Sequence, residues 1–156
     1  MLGSQSAVGE ALTQPEPNHW LLFASRNTWK HLQSRGEWAF ASKVERKIEG
    51  LAENDIGIVY LRSDMDAPSA LGGLIEFSGR LHRISGRNLF DQMFPVRIPI
   101  IIRKVSDPPI EFKPFVKRIC FITNKSNWGS HLQGRAMLRL DDSDYSLLAD
   151  AIQNKT

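Results

Sequence analysis

A chain of 156 residues, 42% hydrophobic and 24% charged, has the size and composition of one globular domain with a single proper core. One cysteine, Cys120, excludes an internal disulfide framework, and no apolar run approaches the ~18 residues that cross a bilayer, which excludes a membrane-spanning helix. The net charge of +3 is unevenly spread: residues 80–139 carry twelve bases against three acids, a net of +9, and the remainder carries −6, which reads either as a polyanion-binding face or as a solvated basic surface.

Residues 1–18 are small, polar and broken by Pro15 and Pro17, and are expected to form a flexible arm ahead of a domain over 19–156. The arm has neither the basic start nor the continuous apolar core of a signal peptide, so the expected location is the cytoplasm. "HWLLFAS" (19–25) reads as a buried strand. "SRNTWKHLQSR" reads as a short helix capped by Ser25 or Asn27, with Trp29 and Leu32 on one face. "EWAFAS" predicts a short strand, and "KVERKIEGL" a short helix with Val44, Ile48 and Leu51 inward, a basic outer face and an end near Gly50. "DIGIVYLR" (55–62) and "ALGGLIEFSG" (70–79) read as strands joined by a polar loop. "RISGRNLFDQMF" predicts an irregular connection with one helical turn. "PVRIPIIIRKV" (95–105) predicts a strand that Pro99 puts at an edge or bulge. "SDPPIEFKPF" reads as an extended crossing, and "DDSDYSLLADAIQ" as a terminal helix whose first turn is acidic. Strands with interspersed helices and no regular βαβ alternation predict an α+β fold, a mixed sheet or small barrel with helices outside.

The usual catalytic signatures are absent: no Gly-rich phosphate loop, no G-x-S-x-G elbow and no H-E-x-x-H. The four histidines are scattered, and Cys120, among apolar residues in "RICFIT", is expected to be a small core residue. "DDSD" (141–144) reads as helix capping rather than a metal cluster. No catalytic residue, metal or cofactor is expected. What stands out is the interleaving of Trp29, Trp38, Phe40, Phe90, Phe94 and Trp128 with arginine and lysine, the combination that base stacking with phosphate neutralisation requires. Each of these aromatics, taken singly, has a plain core role as its alternative.

From "HWLLFAS" to the terminal helix the chain resembles the EVE domain, a PUA-like fold related to YTH domains. The most specific part is "FKPFVKRICFITNKSNWGSHLQGRAM", where the family shows Phe-Lys-Pro, a Phe-Ile-x-Asn-Lys run, a tryptophan and His-x-x-Gly-x-Ala-Met. "NTWKHLQSRGEWAFAS" and the pair "DIGIVYLR" and "GGLIEFSG" also match, whereas "RLHRISGRNLFDQMF" departs most. The resemblance implies a pseudo-barrel with an aromatic pocket for a nucleobase, in a non-enzymatic reader of modified DNA bases, with RNA binding without modification dependence as the alternative.

Trp38 matches the tryptophan that walls the YTH cage, where YTH domains often follow it with a serine; Ala39 stands there in this chain. Ser25 and Asn27 would meet the base edge, and Phe90 or Phe94 would supply a second wall. Asn124, Trp128, Ser130 and His131 match the family's signature loop and would border the same face. The phosphate contacts expected are Arg80, Arg83, Arg87, Lys43 and Arg135, two of them in the repeated Ser-Gly-Arg turns of "SGRLHRISGR". The expected partner is nucleic acid, with no membrane, and any effector would be a separate protein. A hydrolase like those among the related ASCH domains would need a lysine with polar and acidic partners around a small pocket, and no such grouping stands out. A basic face for an acidic protein is the remaining alternative.

Overall fold

The continuous run Trp20–Ala24 is apolar on both sides because the strand it forms is buried on both faces. The structure, a computed structural model, describes residues 16–154. The chain opens with β1 (His19–Ala24), α1 (Arg26–Arg35), β2 (Glu37–Phe40) and two 3-10 turns (Ser42–Val44 and Lys47–Gly50), then β3 (Ile56–Leu61) and β4 (Ala70–Phe77). There follow β5 (His82–Arg83), α2 (Leu89–Met93), the long β6 (Val96–Glu111), 3-10 segments at Lys113–Arg118 and Lys125–His131, β7 (Met137–Leu140) and α3 (Asp142–Asn154). The strands lie in the order β2-β6-β4-β3-β1-β7, with β5 also against β6. β1 and β3 run parallel and the other pairs antiparallel. This curled mixed sheet with a few short helices is the α+β pseudo-barrel expected from the sequence.

Period-two alternation splits β1 between two cores. Trp20, Leu22 and Ala24 pack with Trp29, Leu32, Trp38, Phe40 and Phe77 on one face. Leu21 and Phe23 pack with Phe112, Val116, Ile119, Leu148 and Ile152, under the 3-10 segments and α3, on the other. Ser25 caps α1 by accepting from the Thr28 N–H, and Gly36 ends it in the left-handed conformation (φ 68°) with its N–H on Leu32 O, so Ser25 rather than Asn27 is the cap. Asp55, buried before β3, accepts from Trp20 Nε1, Asn18 N and Ala52 N, each at 3.0 Å. Asn18, assigned from sequence to the arm, is therefore tied to the domain; the arm's residues 1–15 lie outside those described.

Three sequence expectations are corrected. "KVERKIEGL" forms two 3-10 turns rather than a helix; Val44 and Ile48 are still buried, and nine residues with no side-chain cap do not sustain a cooperative α-helix. β6 is one strand of 16 residues that includes most of the expected crossing, and it lies inside the sheet between β2 and β4 rather than at an edge. Pro99 is tolerated because it precedes the β4 ladder, whose last pair is Phe77–Ile100, and stands at the end of the β2 ladder, opposite Glu37. Cys120 is exposed: it follows a 3-10 segment that turns its neighbours Ile119 and Ile122 inward instead. Among the described residues no helix is long and apolar enough to cross a membrane.

Candidate nucleic-acid interface

The parallel register of β1 and β3, Ala24 opposite Leu61, brings the next residues, Ser25 and Arg62, to the same end of the sheet. There a cavity of about 440 Å³ opens among Ser25, Trp38, Lys43, Arg62, Phe94 and Arg135, with Phe23 and Leu32 also in its lining. Each comes from a different support: the cap of α1, the middle of β2, a 3-10 turn, the end of β3, the residue after α2 and the loop before β7. Trp38 is only 2% exposed, yet it lines this cavity while its ring tilts against Trp29 at 5.9 Å between centroids. The tryptophan is both a core residue and part of the cavity wall. Three cationic side chains line the same space. Arg62 lies 5.8 Å from the Phe23 ring centre and donates to Arg135 O at 2.7 Å, and burial pulls its guanidinium below the usual range, opposed by Tyr60. Sequence reasoning missed Arg62; pairing the two apolar runs in parallel would have placed it beside Ser25.

Behind the wall is a buried charge network. Arg97, fully buried, donates from Nη1 to Glu37 Oε1 (2.7 Å), from Nη2 to Asp91 Oδ1 (2.6 Å) and from Nε to Phe94 O (2.8 Å). Its guanidinium also lies 5.2 Å from the centre of the Phe90 ring. One side chain thus fixes the residue before Trp38 and the backbone of Phe94. The Asp91 carboxyl is held below its ordinary range, first by the hydrogen bond from Arg97, against the opposing effect of burial. Asn88 caps α2 by accepting from Asp91 N. Gly86 lies so close to Asp91 that a Cβ would fall 2.2 Å from the Asp91 Cβ, which seats the second Ser-Gly-Arg turn on this network.

The remaining base-contact candidates fall elsewhere. Asn27 lines a neighbouring cavity, not this one. Phe90 is not in the lining; it packs on His31 and Phe94. Asn124 caps the Lys125–His131 segment, its backbone N–H donates to His131 Nε2 (3.2 Å), and Ser130 Oγ donates to Asn127 O (2.8 Å). Trp128 packs on Phe112 at 5.7 Å in the second core. These four build the loop, and their link to the cavity is Arg135, whose Nε donates to His131 O.

No family model matches the chain. UPF0310 proteins of Pyrococcus abyssi and Pyrococcus horikoshii are each 24% identical to it, over 84% of this chain and 96% of the first relative, and 83% and 95% for the second. Among solved structures, the YTH domain-containing protein mmi1 in complex with RNA aligns with a TM-score of 0.63 at 12% identity, over 88% of this chain and 82% of that one. Human THYN1 in complex with 5-methylcytosine-containing DNA aligns at 0.58 and 7% identity, over 89% and 99%. The chain has a YTH-like fold.

On this YTH-like fold the candidate phosphate contacts separate. Lys43 and Arg135 line the Trp38 cavity, whereas Arg80 lines a third, smaller one beside Leu81. Arg83 is half exposed and pairs with Glu45 while donating to Ser42 Oγ at 2.9 Å, which ties it to the turn that carries Lys43. Arg87 contributes its backbone carbonyl, accepting from Gln92. The +9 stretch is less available than its count implies. Arg97 is buried, Arg103 pairs with Glu76, Lys125 donates to Val116 O and Ile119 O, and Arg139 donates to Asn18. In "DDSD", Asp141 caps the start of α3 by accepting from Asp144 N, whereas the Asp144 carboxylate accepts from the backbone N–H groups of Cys120 and Phe121 and ties that segment to the helix.

Proposed function

We propose that this chain is a non-enzymatic nucleic-acid-binding module that reads a modified base, a modified cytosine or methyladenine in DNA, in the Trp38–Phe94 cavity. The observation that carries this reading is the cavity itself: an aromatic recess of about 440 Å³ in which Lys43, Arg62 and Arg135 also stand. That volume lies within the range of ligand pockets, and the combination of aromatic walls with cations is what a base and its phosphate need. The likeness in fold to THYN1, solved with 5-methylcytosine-containing DNA, supports the same reading. Trp38 and Phe94 offer apolar surface to the base, Ser25 and Thr28 offer hydroxyls to its edge, and Lys43, Arg135 and Arg83 meet the backbone. Ala39 gives the base no hydrogen bond from its side chain, so selection falls on shape and apolar burial. Burying one methyl group is worth ~0.8 kcal/mol, about fourfold in affinity.

A second reading, an RNA-binding module indifferent to modification, is favoured by the 2% exposure of Trp38, which leaves little indole face to a methyl group, and by the likeness to mmi1, solved with RNA. Titration with matched oligonucleotides, with and without methylated cytosine or adenine, in DNA and RNA forms, separates the two. A fourfold or larger preference for a methylated DNA base supports the first; equal affinity for methylated and plain strands, tightest for RNA, supports the second.

A further inference from the structure

A second cavity, about 790 Å³, lies on the other side of the first turn of α1 from the Trp38 cavity. Ser25 lines both, and Trp29, which lines the second, tilts against Trp38, which lines the first, at 5.9 Å between ring centres. The two spaces therefore share a wall one aromatic pair thick. Ser106 lines the second cavity, is 6% exposed, and its Oγ has no hydrogen-bond partner among the described residues. A buried hydroxyl without a partner is costly unless something completes it.

The charge of this lining says what that something is. Asp64, Asp66 and Asp107 stand against Arg26 and Lys30, and Arg26 is already engaged with Asp64 and with the carbonyls of Arg62 and Pro68. Three carboxylates against two cations, one of them already paired, do not favour a phosphate, but carboxylates accept from the exocyclic amino groups of bases. Aromatic and apolar surface for a base face comes from Trp29, Leu61 and Val105.

We infer that this cavity holds the nucleotide next to the modified one, and that it prefers a base with an exocyclic amino group, cytosine, adenine or guanine, over thymine. The inference rests on the base-reading function proposed above. A strand with its modified base against Trp38 passes over Ser25, and its neighbouring base then turns into the second cavity, with Ser106 Oγ and Asp107 as its hydrogen-bonding groups. The linking phosphate falls at the N-terminus of α1, where the dipole and backbone N–H groups favour an anion. Readers and base-modifying enzymes commonly take sequence context from such flanking contacts.

The test uses the full chain and short DNA strands with one 5-methylcytosine, or plain cytosine, at a fixed position. The base on either side is adenine, cytosine, thymine or an abasic site. At one side, amino-bearing neighbours are expected to bind about fivefold tighter than thymine or the abasic site, the size of one net hydrogen bond. Ser106→Ala and Asp107→Asn are expected to flatten that difference. Ser106→Ala removes a hydroxyl with no hydrogen-bond partner among the described residues, so its unfolding midpoint should not fall, which separates loss of recognition from loss of fold. Affinity indifferent to both neighbours, or a neighbour preference that survives both substitutions, overturns the inference. A neighbour preference without any response to methylation would sink the modified-base reading and leave the second cavity standing, and binding to no strand overturns both.

Discussion

Replacing Arg97 by methionine keeps the volume of a long side chain and removes the one cation that joins Glu37, Asp91 and the Phe94 carbonyl. Arg35 comes no nearer than 3.8 and 3.9 Å to the two carboxylates and is itself partly exposed, so it does not replace the lost guanidinium. Taking one partner from a buried ionic network costs about 3–5 kcal/mol, and the loss here should fall at the low end of that range, because Arg35 still faces both carboxylates. In a chain of this size that is roughly 10 °C in melting temperature. Arg97→Lys should recover little, since a single ammonium does not span three acceptors held in a planar fork. Urea unfolding at neutral pH measures the loss.

The network also sets a pH signature. Asp91 is held below its ordinary value of 3.8, first by the Arg97 hydrogen bond. Its contribution is therefore fully present above that value and is lost as pH falls below it toward the folded-state value. In Arg97→Met this acid-side slope should shrink. An unfolding free energy within about 1 kcal/mol of wild type, with the acid slope unchanged, would refute the claim that this guanidinium braces the cavity wall.

Trp38→Ala should cost about 3–5 kcal/mol in unfolding, as for any fully buried large side chain, so Trp38→Phe is the variant that can report on binding: it should stay folded in thermal melts yet lose affinity, most of all for the methylated strand. Asp55→Ala leaves Trp20 Nε1 and two backbone N–H groups without their acceptor and should cost on the order of 3 kcal/mol by urea titration. Arg83→Ala removes an exposed pair with Glu45 and an exposed hydrogen bond to Ser42 Oγ, so the unfolding free energy should change by less than about 1 kcal/mol. Its binding should weaken evenly across sequences, and the salt dependence, read by titration at several ionic strengths, should fall by about one phosphate contact.

The strands at 19–24, 56–61 and 70–77 were legible because each is a dense apolar run between polar turns, and α1 because its cap, buried pair and terminal glycine agree. β6 was not. Its prolines argue locally for an edge and a crossing, and only pairing with β2 on one side and β4 on the other makes a continuous strand of it. β7 is four residues long with a half-buried pattern, too short to carry a signal of its own. For the cavity, Trp38, Ser25, Phe94, Lys43 and Arg135 could be named from the sequence, but nothing local tells a lining aromatic from one behind it, so Phe90 looked the equal of Phe94. Charge was misread for the same reason. Arg97 counts as +1 in the sequence whether it faces solvent or, as here, two carboxylates in the core.

The Trp38 cavity is proposed to select a modified base. The measurement that meets it most directly is a titration of the wild-type chain against two DNA strands that differ by one methyl group on one cytosine, repeated with adenine. A preference for one methylated strand of about fourfold or more is expected, reduced in Trp38→Phe at unchanged fold. Equal affinity for both members of each pair, or a preference that Trp38→Phe leaves intact, would contradict it.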